Sequence, residues 1–164
     1  YFEKKIKNSI YQNMNKTFID FLIKAKKSTY ASAQGDSKKI LDDGGKEFTF
    51  LEGKYLYRDR YFGSGQFIGE EVVFFNDRAA WVMNYSGRIL NKTTSEKEVY
   101  DFLKQSLMQV SEQSPFRGPA GFLSGDYKYK CEFEGNPDSF VGTETIYHKS
   151  MKVYELYFHG GMIA

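Results

Sequence analysis

Apolar side chains recur at two periods along this chain. Phe18, Phe21, Leu22 and Ala25 fall at i, i+3, i+4 and i+7, which predicts a helix over 16–27 with Asn15 as its N-cap. Residues 33–46, rich in Gly and Asp, predict a loop, and a short strand is expected at 47–52. Alternation then predicts strands at 54–62, 68–75 and 78–86. Asn76-Asp77 between the last two suits a two-residue hairpin turn, because both residues tolerate positive φ. Helical spacing returns at Val99, Phe102, Leu103, Leu107 and Val110, and Ser95 with Glu98 reads as a capping box, so a second helix is expected over 96–112. Pro115 and Pro119 bound a stiff loop after it, and strands are expected at 126–134, 140–148 and 151–159.

The pattern occurs twice. Phe67, Gly69, Glu71, Val73, Trp81, Tyr85 and Gly87 recur as Phe140, Gly142, Glu144, Ile146, Tyr154, Phe158 and Gly160 without a gap. Tyr55, Tyr57, Arg58, Tyr61 and Gly63 are echoed by Tyr127, Tyr129, Lys130, Phe133 and Gly135, and Asp20-Phe21-Leu22 by Asp101-Phe102-Leu103. This predicts an α+β fold built from an internally duplicated α-β-β-β unit, mostly antiparallel, with two helices packed on the sheet. The single domain would span 16–164, with repeats at about 16–91 and 92–164, and residues 1–15 would be a linker or the tail of an upstream segment.

Strand register decides which groups meet. With Asn76-Asp77 as the turn, Phe75 opposes Arg78, Val73 opposes Ala80 and Glu71 opposes Val82. The helix-covered face would then carry Val72, Phe74, Trp81, Met83 and Tyr85, with Tyr147, Tyr154, Leu156 and Phe158 from the second half. Glu71, Asn84 and Ser86 would face the other way, together with Glu144, His148, Glu155, Tyr157 and His159, on one concave surface.

Composition narrows the function. Net charge is +2, from 23 basic and 21 acidic residues, so the domain itself is not expected to bind nucleic acid. Cys131 is the only cysteine, which excludes an internal disulfide and favours a reducing, cytoplasmic setting. No apolar run approaches the ~18 residues of a membrane span. No Cys/His cluster suggests a metal, and no cofactor is expected. The aromatic share of 18% fits a Tyr-rich sheet first and a ligand site second, since Tyr offers an apolar body and a polar tip.

Glu71 and Glu144 attract attention because Glu is disfavoured in mid-strand and a desolvated carboxylate needs a partner. Each can serve a ligand or close an internal ion pair with a nearby Arg or Lys, such as Arg58 or Lys130. The expected ligand-binding set is Glu71, Trp81, Asn84, Glu144, Tyr157 and His159, with a small organic molecule as partner and a cationic aromatic as first candidate. An enzyme is the alternative, a small-molecule hydrolase using Glu71, Glu144 and His159 for proton transfer, with Arg117 orienting an anion. Arg117 can equally clamp an internal acid such as Glu144. A structural or protein-interaction role is the third reading, and homodimerisation is left open.

Several segments resemble one bacterial family, the domain of unknown function DUF5680. They are Thr29-Tyr30-Ala31, Tyr61-Phe62-Gly63, Phe67-Ile68-Gly69-Glu70-Glu71, Trp81-Val82-Met83-Asn84-Tyr85, Pro115-Phe116-Arg117-Gly118-Pro119 and the ending Val153 to Gly161. The resemblance covers roughly 17–163. Members often follow a helix-turn-helix domain of the Xre type. This implies the ligand-sensing part of a bacterial transcriptional regulator, with DNA reached through an N-terminal domain preceding this chain. The family supplies no catalytic residues.

Overall fold

The computed structural model describes residues 16–31, 38–91 and 94–163. The segment expected to be a linker, 1–15, lies outside the described residues, as do residues 33–37 of the predicted loop. Helix α1 occupies 16–28. It is followed by β1 (Lys39–Ile40), β2 (Lys46–Glu52), β3 (Tyr55–Gly63), β4 (Gln66–Phe75) and β5 (Arg78–Ile89). Helix α2 (Glu96–Leu107) then leads to β6 (Gly121–Ser124), β7 (Tyr127–Asn136), β8 (Ser139–His148) and β9 (Met151–Met162). All nine strands join one sheet in the order β1-β2-β3-β4-β5-β9-β8-β7-β6, and every pairing is antiparallel. The fold is α+β. β1 and β6 were not expected, because each is too short for alternation to register.

Ser95 caps α2, accepting a hydrogen bond from the Glu98 N–H at 3.4 Å. The helix stops at Leu107 rather than near 112. Gln109 and Val110 donate to the carbonyls of Ser106 and Leu107, so the backbone tightens into i→i+3 bonds before Pro115. Both helices lie on one face of the sheet. Phe21 of α1 packs on Phe50 and Tyr55, and Phe102 of α2 packs on Phe122 and Tyr127.

The Asn76-Asp77 turn forms as a two-residue hairpin, with φ of 48° and 63° and Phe75 opposite Arg78. Beyond it the expected register fails. Phe74 pairs with Ala79 and Val73 with Trp81, so Ala80 is an extra residue in a β-bulge. The slip of one residue reverses the faces of β4 relative to the expectation. Val72 and Phe74 turn to the open face. Glu71, now opposite Met83, turns inward beneath the helices. Val153 forms the matching bulge between β8 and β9, which turns Glu144 and His148 to the helix-covered face and Tyr147 away from it. The two bulge carbonyls are used in the same way: Ala80 accepts from the Ile163 N–H and Val153 from the Leu90 N–H, each at 2.8 Å.

Strand pairing runs in parallel through the two halves. Asp59 and Cys131 pair with Glu71 and Glu144, and these pair with Met83 and Leu156. Tyr85 pairs with its own sequence counterpart, Phe158, at the central β5–β9 junction.

Candidate functional site

A cavity of about 260 Å³ opens between the helices and the first-half part of the sheet. Its floor is set by residues alternating inward on β3, β4 and β5: Tyr57, Asp59 and Tyr61, then Phe67 and Glu71, then Tyr85. Its roof comes from Lys26, Thr29 and Ala31 on and just after α1, and from Tyr100, Leu103 and Lys104 on α2. Gly63 and Ser64, both exposed, mark the opening. Gly69 shapes the floor: a Cβ there would sit 2.5 Å from the Tyr85 hydroxyl, so only glycine lets that ring cross β4 to reach Asp59.

Arg117 is the electrostatic centre. Ser114 Oγ donates to the Gly118 carbonyl at 2.5 Å, and the Gly118 N–H donates to the Tyr129 hydroxyl at 2.9 Å, which fixes the Pro-flanked loop. Arg117 then donates from Nε and Nη2 to Glu144 at 3.1 and 2.9 Å, a two-point contact. Its Nη1 lies 3.8 Å from Glu71, and the guanidinium sits over the Tyr85 ring at 5.6 Å. Glu144 is fully buried and also accepts from the hydroxyls of Tyr129 (2.6 Å) and Tyr154 (2.9 Å). Burial opposes the Arg117 charge, but Glu144 raises its pKa above the ordinary arginine value, so the guanidinium stays charged.

Glu71 takes an ion pair from Lys26, whereas Arg58 meets Glu70 and Lys130 meets Glu132. Burial, and then the Glu71 charge, push the Tyr57 hydroxyl well above the ordinary tyrosine pKa. Burial lowers the Lys26 pKa, against the pull of Glu71. Asp59 has no cation in direct contact among the described residues and instead accepts from the Tyr85 hydroxyl at 2.5 Å. Burial and then the Glu71 charge push its carboxyl up to about 7, while Tyr85, Lys26 and Arg117 work in the opposite direction.

The folded state holds a proton on Asp59 at pH values where the unfolded chain has lost it, so stability falls as pH rises from about 4 to about 7. The slope is of order 1 kcal/mol per pH unit. Asp59→Asn keeps an acceptor for Tyr85 and is expected to flatten that slope. Melting temperatures at pH 5 and pH 8 check it: the variant should gain on wild type at pH 8 and not at pH 5.

The residues expected to bind ligand are divided between the two faces. Glu71 lines the cavity. Glu144 lies behind Arg117, outside the lining. Trp81 is buried in the core between Phe18 and Phe140, at 6.0 and 5.7 Å between ring centroids. Asn84, Tyr157 and His159 point to the open face, where Asn84 pairs with His159 and Ser86 with Tyr157. For the catalytic alternative, Arg117 joins Glu71 and Glu144, but His159 is separated from all three by the sheet. Among the described residues no group of three His, Cys, Asp or Glu could hold a metal ion, and no helix is long and apolar enough to cross a membrane.

Sequence reasoning missed Lys26, Asp59, Tyr61 and Tyr85. A signal for them existed in the echo between the halves. Their counterparts are Leu107, Cys131, Phe133 and Phe158, so each of the four is polar where its echo is less polar or apolar.

No curated protein and no solved structure matches the chain. One family match exists, to a domain of unknown function, and it spans residues 59–163, from Asp59 on β3 through Arg117 and Glu144 to the end of β9. With well over half its length matched, the chain belongs to the DUF5680 family.

Proposed function

We propose that this domain binds a small organic molecule in the first-half cavity and, joined to an Xre-type DNA-binding domain in a bacterial regulator, passes the occupancy of that cavity to transcription. The carrying observation is the cavity itself: about 260 Å³, walled by aromatic rings and holding a few convergent charged groups. The link to transcription rests on the family resemblance alone. The carboxylates nominated for a cationic ligand, Glu71 and Glu144, already hold ion pairs with Lys26 and Arg117. The ligand's contacts are therefore expected from the rings and from the remaining polar groups.

Ligand-observed NMR with a library of aromatic fragments tests the binding. Ala31 is buried and lines the cavity, so Ala31→Phe should fill it. Hits against the wild type that disappear with Ala31→Phe are expected. An absence of hits, or hits that survive the filling variant, contradicts the reading. Acid–base catalysis is a second reading, favoured by one observation: Asp59 lines the same cavity with its carboxyl pushed up to about 7, near the pH where a proton is most easily exchanged. Turnover abolished by Asp59→Asn with binding retained would favour it.

A further inference from the structure

The two halves place the same rings at corresponding points but close them differently. In the second half, Phe140 is sandwiched. Trp81 stacks on it at 5.7 Å and 18°, and Phe116 at 3.8 Å and 6°. Phe133 meets Phe116 edge-on at 5.0 Å. In the first half the counterpart ring is Phe67. Tyr154 stacks on it at 6.3 Å and 21°, matching the Trp81 contact. No second described ring stacks parallel to Phe67; Phe67 lines the cavity, as Tyr154 does not, together with Tyr61, Tyr85 and Tyr100, each inclined to Phe67 by 61° to 73°. Phe116 thus shows, within the same chain, how a planar ring fits such a site.

The charge of the cavity points to the rest of the ligand. Four cations line it. Lys26 and Arg117 are committed to Glu71 and Glu144. Lys46 and Lys104 have no carboxylate partner among the described residues. Lys46 donates to the Gly63 carbonyl at 2.8 Å, beside the opening, and lies over the Tyr61 ring at 5.3 Å. Lys104 lies over the Tyr30 ring at 5.6 Å, and Tyr30 and Tyr61 touch edge to face at 6.3 Å. Two partly exposed ammonium groups therefore flank one aromatic pair, and among the described residues neither has an acid partner. A cationic guest would have to take Glu71 from Lys26 or draw the proton from Asp59, whose carboxyl is pushed up to about 7 by burial and the Glu71 charge. An anionic guest breaks no ion pair.

We infer that the cavity selects an aromatic acid, its ring stacked on Phe67 as Phe116 stacks on Phe140 and its anionic group held by Lys46 and Lys104. This rests on the binding reading above and adds the sign of the ligand's charge and the position of its ring. An isosteric series tests both: 2-naphthoate, 2-naphthamide and 2-naphthamidine, titrated calorimetrically into the wild type and into the double variant Lys46→Met, Lys104→Met. Both lysines are partly exposed, so the double variant should fold, and an unchanged melting temperature verifies it. Naphthoate is expected to bind about tenfold tighter than naphthamide, in line with a charge-assisted contact, and the double variant should erase that difference without weakening naphthamide. Equal binding of all three, lost with Ala31→Phe, overturns the inference and leaves the binding reading standing. Tightest binding by naphthamidine, lost with Glu71→Gln or with Asp59→Asn, reverses the charge assignment. Failure of all three to bind overturns both.

Discussion

Replacing Arg117 by alanine is expected to destabilise the domain by about 3–5 kcal/mol, the scale for removing one partner of a buried ion pair. Glu144 is fully buried, and without Arg117 its charge would rest on two tyrosine hydroxyls. Glu71 would lose the cation at 3.8 Å and keep Lys26. The cost arises from an uncompensated charge, not from lost packing alone, and a control separates the two. Arg117→Met combined with Glu144→Gln removes both charges at similar volume, and such replacements are often close to neutral. Urea unfolding should therefore show a large fall in midpoint for Arg117→Ala and a clear recovery in the double variant, with similar slopes throughout.

Phe116→Ala is expected to cost a similar amount, about 3–5 kcal/mol, for a different reason. The ring is 1% exposed and lies flat on Phe140 with Phe133 against its edge. Truncation leaves a void that the rigid sheet beneath cannot collapse, so the lost transfer energy is joined by a cavity cost. Phe116 also lines the first-half cavity, so the new space would extend that cavity toward Phe140. Toluene should then raise the melting temperature of Phe116→Ala more than that of the wild type. A destabilised variant that toluene does not rescue would mean the site had collapsed, and that the two halves are less alike than their ring contacts imply.

Most of the architecture was legible in the sequence. The helices, the long strands and the Asn76-Asp77 turn follow from periodicity and turn chemistry, which are local properties. The face carrying Glu71 and Glu144 was not legible. It depends on single extra residues, Ala80 and Val153, and neither alanine nor valine marks a bulge. That one-residue slip turned the two glutamates from an open surface into the core, and with them the candidate site moved to the opposite side of the sheet from His159, Tyr157 and Asn84. The partners of the glutamates come from distant segments. Lys26 is on α1 and Arg117 in the loop after α2, and no periodic pattern connects either to a strand. What the sequence did hold, unused, was the difference between its halves. Asp59 against Cys131 and Tyr85 against Phe158 show where polar groups persist on a frame that also accepts apolar ones.

The first-half cavity, and no other surface, is expected to receive the ligand. Methyl NMR of the full chain with labelled Ala, Leu, Ile and Val, titrated with 2-naphthoate, tests it most directly. Shifts are expected at Ala31, Leu103 and Leu107, which line the cavity, with Ile146 and Leu156 in the second-half core unmoved. Shifts confined to Ile68 and Val141 on the open face, both more than half exposed, would contradict it.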